Sequence, residues 1–143
     1  MKLRALFACA CLVWAGCESD VAARVRKHTY PPTFQYFTAA ELQGTMWQLA
    51  DLVSQLDAQM ETSGSADDGE RRAEVIRLLA QMERVSKALG PGGWPSNHPK
   101  VSRHVERFRL ELAAARRAVE LDPPSYYLAG TISGACLHCH GPE

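Results

Sequence analysis

Apolar side chains recur at alternating steps of four and three residues in three long stretches of the chain. Leu42, Met46, Leu49, Val53, Leu56 and Met60 make the first seam. Val75, Leu78, Leu79, Met82, Val85 and Leu89 make the second, and Val101, Val105, Phe108, Leu112, Ala115 and Val119 the third. This spacing puts each set on one face of an α-helix that must bury it against a neighbour. No convincing period-two strand pattern appears, and no internal repeat is evident.

The ends of these helices are also written in the sequence. Thr38-Ala39-Ala40-Glu41 is a capping box, so the first helix is predicted to start at Thr38. The polar run "ETSGSADDG" (residues 61–69) ends it. The second helix is predicted over residues 70–89, and "GPGGWPSNHP" (residues 90–99) breaks it with glycine and proline. The third is predicted over residues 100–121. Pro123 and Pro124 stop the third helix and are expected to open a fourth, since proline is tolerated in a first helical turn. Short connections between amphipathic helices predict an all-α, up-down-up-down four-helix bundle over residues 38–143. Residues 17–37, with Pro31-Pro32 and the aromatics Tyr30, Phe34, Tyr36 and Phe37, read as an irregular tether.

At 143 residues the chain has the length of one domain, with 16 basic and 16 acidic residues. No basic patch interleaves with aromatics, so nucleic-acid binding is not expected. The N-terminus changes the picture more. Lys2 and Arg4 precede an apolar run from Ala5 to Ala15, too short for a membrane span of ~20 residues. The run ends in "WAGC", which resembles a lipoprotein box with Cys17 as the lipid-carrying residue. Residues 1–16 then read as a leader, and the chain is expected to be exported and lipid-anchored to a bacterial membrane, facing the periplasm. Cleavage after Val21-Ala22-Ala23 is the rival. Loss of Lys2 and Arg4 leaves 14 basic against 16 acidic residues, a balance too even to dictate a partner.

Of five cysteines, three (Cys9, Cys11, Cys17) lie in this N-terminal stretch and two in "GACLHCHGPE" (residues 134–143). Cys136, Cys139 and His140 form C-x-x-C-H, the attachment signature of a c-type haem. Thiols three apart on a helix share a face, so both can form thioethers to one porphyrin. The histidine after the second thiol can then bind the iron. Zinc on Cys136, Cys139, His138 and His140 is one alternative, although four donors within five helical residues form a tetrahedron poorly. A thiol redox pair is another, but the alternation of strands and helices around such motifs is missing. His138 is expected to be solvated and to point away from the thiols.

A helical bundle with C-x-x-C-H on its last helix resembles the cytochrome c-prime family, the class II cytochromes c. The resemblance spans about residues 34–140 and includes "MWQLADLV" on the first helix and the proline-initiated last helix. After His140 this chain reads Gly141-Pro142-Glu143, where family members usually continue the helix and carry a basic residue. The resemblance implies one covalent haem c, His140 as axial ligand, and either electron transfer or binding of small gases such as nitric oxide or carbon monoxide. It also puts a methionine, here Met46, in the distal position.

Met46 is accordingly the first candidate for sixth iron ligand, an open site is the next reading, and His104 ranks behind both. Met82, His98 and His28 are also expected near the haem, whereas Met60, ~21 Å further along its helix than Met46, belongs at the other end. Level helix ends would leave Met46 ~12 Å above His140, so the first helix must sit lower than the fourth. Trp94 and the aromatics before Thr38 are expected to anchor loops on the bundle ends. The sequence thus reads as an exported monohaem cytochrome carrying single electrons to or from an unidentified redox protein, a reading compatible with a homodimer. The alternative is a gas-binding protein with an open distal site. No acid/base pair suggests an enzyme.

Overall fold

The computed structural model describes residues 20–61 and 68–141. The leader of residues 1–16, Cys17 and linker residues 62–67 lie outside them. The chain is all-helical: α1 (Asp20–Thr29), α2 (Ala39–Glu61), α3 (Asp68–Ser86), α4 (Pro99–Glu120), α5 (Ile132–Ala135) and α6 (Leu137–His140). Two 3-10 turns, Lys87–Leu89 and Ala129–Thr131, extend α3 and lead into α5. Among the described residues no strand forms; Gln35 and Ser96 make one isolated bridge.

α3 packs against both α2 and α4, and the C-terminal helical segment packs against α2 and α4. The three seams supply the core. Leu56, Val75, Leu78, Leu79, Met82, Leu112 and Val119 are fully buried. Burying such side chains contributes ~1.5–3 kcal/mol each, which is why the seams dictate the packing.

The predicted capping box forms. The Glu41 amide donates to Thr38 Oγ1 at 3.2 Å, and the Thr38 amide donates to Glu41 Oε2 at 3.1 Å. Lys27 on α1 also pairs with Glu41 at 2.8 Å. That ammonium, with the Thr38 hydrogen bonds, holds the Glu41 carboxyl down at about 2.

Two arginines close helix ends reciprocally. Arg109 of α4 donates through Nη2 to the carbonyls of Ser86 (2.6 Å) and Gly90 (2.7 Å), just past α3. Arg72 of α3 donates to the carbonyls of Val119, Glu120 and Leu121 at the end of α4. Gly90 sits at φ 73°, which glycine adopts without strain, and lets the chain leave the helix there.

Two expectations fail. The tether is not wholly irregular, because Asp20–Thr29 is helical. Val21 and Val25 remain 66% and 54% exposed, so α1 has no buried seam for periodicity to reveal. Arg26, Lys27 and His28 in its last turn complement the helix dipole instead. The last helix also does not start at the prolines. Pro124 disfavours helical geometry at Pro123, and residues 121–128 form bends, turns and extended backbone. Helical structure resumes with the Gly130 amide donating to the Tyr126 carbonyl at 3.0 Å. The C-terminal segment is therefore much shorter than the three long helices.

Arg109→Ala is expected to destabilise the chain by ~1.5–3 kcal/mol, since it strips charged donors from partly buried carbonyls. Arg72→Ala should cost less, because two of its three acceptors are solvent-exposed pairs. Chemical denaturation of the two variants checks the order.

Candidate functional site

Three contacts with α4 hold the C-terminal segment in place. Lys100 Nζ donates to the Gly141 carbonyl at 3.2 Å, and Cys139 Sγ approaches the Lys100 carbonyl at 3.7 Å. His138 Nε2 lies 3.2 and 3.3 Å from the two carboxylate oxygens of Glu111, which Arg107 also binds at 2.9 Å. The helix ends as Gly141 turns to extended backbone, and only glycine fits there, since a Cβ would meet the Leu137 carbonyl oxygen at 2.5 Å.

Cys136 keeps helical geometry between α5 and α6, at φ −60° and ψ −28°. The motif therefore spans one continuous helical stretch, in which the His140 amide donates to the Cys136 carbonyl at 3.0 Å. Cys136, Cys139 and His140 line a cavity of about 470 Å³, within the range of small-molecule and cofactor sites. Met46, Trp47, Leu49, Ala50 and Val53 of α2 form one wall. Val101, Val105 and Phe108 of α4 form the facing wall, and Leu89 and Ala135 contribute to the rest. A second cavity of about 290 Å³ shares Met46, Val101, Cys139 and His140 and adds Leu42, Asn97, His98 and Lys100. Trp47 is 69% exposed although it lines the larger cavity, which places it at the lip.

Met46 thus shares both cavities with His140. Met60 packs near Gly130, at the far end of the C-terminal segment, and Met82 is fully buried in the core. His98 borders the smaller cavity, and its ring lies 6.1 Å from that of Phe37. His28 ends the exposed α1. His104 lines neither cavity; its ring stacks on His138 at 6.2 Å. Trp94 borders a separate loop cavity with Arg103 and Glu106.

His138 corrects an expectation. It is half-buried, with 23% of its side chain exposed, and paired with Glu111 rather than solvated. No local spacing links residues 27 positions apart, so only the packing of α6 on α4 brings them together. Lys100 and Trp47 were passed over for a different reason, each being an ordinary surface type beside a seam position.

Both cysteines are free thiols. Burial pushes the Cys136 thiol up, helped by the nearby Asp57 charge, and burial with the neighbouring Cys136 pushes Cys139 up. Catalytic and metal-binding cysteines have the opposite bias, because the thiolate is their reactive form. The zinc-type donors are not gathered either: among the described residues no group of three or more His, Cys, Asp or Glu is placed to hold a metal ion.

No family model, curated protein or solved structure matches the chain. The likeness to class II cytochromes c therefore rests on the C-x-x-C-H motif and the helical pattern alone.

In chain produced without haem attachment, Cys136 is expected to alkylate with iodoacetamide several-fold more slowly at neutral pH than an unstructured cysteine peptide. The depleted thiolate should reappear only above the ordinary thiol range. A rate at neutral pH equal to the peptide's would contradict the raised thiol.

Proposed function

We propose that the chain is an exported monohaem c-type cytochrome that carries single electrons. The observation that carries this reading is the convergence of Cys136, Cys139, His140 and Met46 on one apolar cavity. The donor set fits the group: two thiols for thioether bonds, an imidazole and a facing thioether sulfur, between aliphatic and aromatic walls. When bound, a haem c supplies an iron that gains and loses one electron. The proposed arrangement of the whole is the four-helix bundle of the cytochrome c-prime type, with α5 and α6 in the position of the fourth helix.

In this reading each residue has one task. Cys136 and Cys139 anchor the porphyrin covalently, and His140 presents a ring nitrogen to the iron. Met46 would present its sulfur from the α2 wall, while Leu49, Val53, Val105 and Phe108 exclude water. Exclusion of water and a thioether ligand both favour the less charged, reduced iron. Lys100 and Glu111 hold the attachment segment against α4, so that the imidazole and thiols keep their orientation. The proposed partner is a redox protein, and the chain itself transfers electrons rather than turning over a substrate.

Visible spectroscopy of the chain from a host able to attach haem tests the reading. The expected result is a haem band that survives denaturation and is lost in the Cys136→Ala, Cys139→Ala double variant. The iron is expected to be low-spin, and Met46→Ala should convert it to high spin and admit carbon monoxide quickly. A wild-type protein that is already five-coordinate would replace electron transfer with the gas-binding reading. The absence of any covalent haem would end both.

A further inference from the structure

We infer that the mouth of the larger cavity, beside Trp47 of α2 and the Cys136–Leu137 step of the attachment segment, is a docking face for a redox protein that presents lysine or arginine side chains. The inference rests on the electron-transfer reading above and names the kind of partner that reading requires. Of the two thiols, Cys136 is exposed and Cys139 is half-buried, so a second protein reaches the segment from the Cys136 side. Two large apolar side chains stand out in water there. Trp47, at the cavity lip, is 69% exposed, and Leu137, next to Cys136, is 65% exposed. Tryptophan is among the commonest anchors of protein interfaces, because one side chain buries a large area.

The charges that α2 brings to this mouth have one sign. The helix carries Glu41, Asp51, Asp57 and Glu61 and no lysine or arginine. Glu41 is paired with Lys27 and takes no part. Asp51 accepts from the neutral Gln55 side-chain amide at 2.8 Å, and Asp57 and Glu61 have no cationic partner among the described residues. Asp57 and Glu61 border a hollow of about 460 Å³ along α2 that also touches Val53 and Cys136, which places them on the Cys136 side of the helix. Asp51 stands one turn past Trp47 on the same face.

Little nearby offsets these three carboxylates. The segment from Pro123 to Gly141 contains no Asp, Glu, Lys or Arg. On its other side, Lys100 and Arg107 of α4 are bound to the Gly141 carbonyl and to Glu111, and Arg103 borders the separate loop cavity. Arg71 of α3 reaches α2 at the Gln59 carbonyl, with its guanidinium over the Tyr126 ring. From Asp51 to Glu61 the carboxylates spread along ~15 Å of helix, which exceeds one small cation and suits several cationic side chains on a protein surface. Exposed charge pairs add little affinity but speed encounter. A carrier that must bind and release its partner needs that combination, in a weak interface of under ~1,200 Å².

The test uses the full chain from a host able to attach haem, and its visible band first reports whether the electron-transfer reading stands. With haem attached, a decalysine peptide is added to the reduced, isotope-labelled protein. Changes in amide resonances should be confined to residues 47–61 and 136–137, include the Trp47 indole, and vanish at about 0.3 M salt. In stopped flow, one electron passes from the reduced iron to cationic tris(phenanthroline)cobalt(III) or to anionic hexacyanoferrate(III). The Asp51→Asn, Asp57→Asn, Glu61→Gln variant should lose the decalysine response and react at least ~threefold more slowly with the cobalt complex at low salt. Its melting temperature and its rate with hexacyanoferrate should not fall, since none of the three residues is in the core. A decalysine response elsewhere on the chain, or equal cobalt rates in variant and wild type, overturns the inference and leaves the electron-transfer reading intact. A chain without haem overturns that reading, and this inference falls with it.

Discussion

The apolar seam of α4 is the constraint on which the rest of the molecule depends. Val101, Val105, Phe108, Leu112, Ala115 and Val119 are all buried, each 9% exposed or less. The upper part of the seam packs with α3 in the core, while Val101, Val105 and Phe108 form a cavity wall. One helix therefore both stabilises the fold and faces the chemistry. Its polar side holds the C-terminal segment through Lys100 and Glu111. A shift of α4 along its axis would move the cavity wall and the attachment segment together.

That coupling explains what the sequence made legible. Helix boundaries followed from rules within four or five residues of chain: the Thr38 capping box, the glycines after Leu89, and the glycine- and proline-rich break before α4. Seam positions came through because burial repeats with the helix period. Cys136, Cys139 and His140 came through because their spacing is itself the signal. The failures share a different cause. α1 has no buried face, the prolines at 123 and 124 constrained the backbone without starting a helix, and the His138–Glu111 pair joins positions 27 apart. Contacts set only by tertiary packing leave no local pattern to read.

The state of the two thiols bears on readings that the motif alone left open. A dithiol redox centre works through thiolates, and burial in this structure acts against them, whereas a bound metal would itself remove the protons. A porphyrin anchor asks something else of the thiols. They must lie side by side at the edge of an apolar space, with an imidazole next to them, and remain there after the bonds form. In the proposed reading the cavity between α2 and α4 would serve that requirement, and its lip residue Trp47 would add a large apolar surface where a flat ring system would otherwise meet water.

The height of Met46 along α2 was the main geometric objection to pairing it with His140. The objection assumed that α2 and the C-terminal segment end at one level. The clamp before α2 removes the assumption. The Phe37 amide donates to Asn97 Oδ1, and Asn97 Nδ2 donates back to the Phe37 carbonyl, both at 2.8 Å. This pair aligns the chain just before α2 with the chain just before α4. His140 is in turn tied near the first turn of α4, because Lys100 holds Gly141. The C-terminal segment ends where Lys100 reaches the Gly141 carbonyl. Leu42 and Met46 of α2 border the smaller cavity together with His140. Two hydrogen-bonded clamps, each beside the start of α4, thus act on the stretches that carry Met46 and His140, and both residues border the same two cavities.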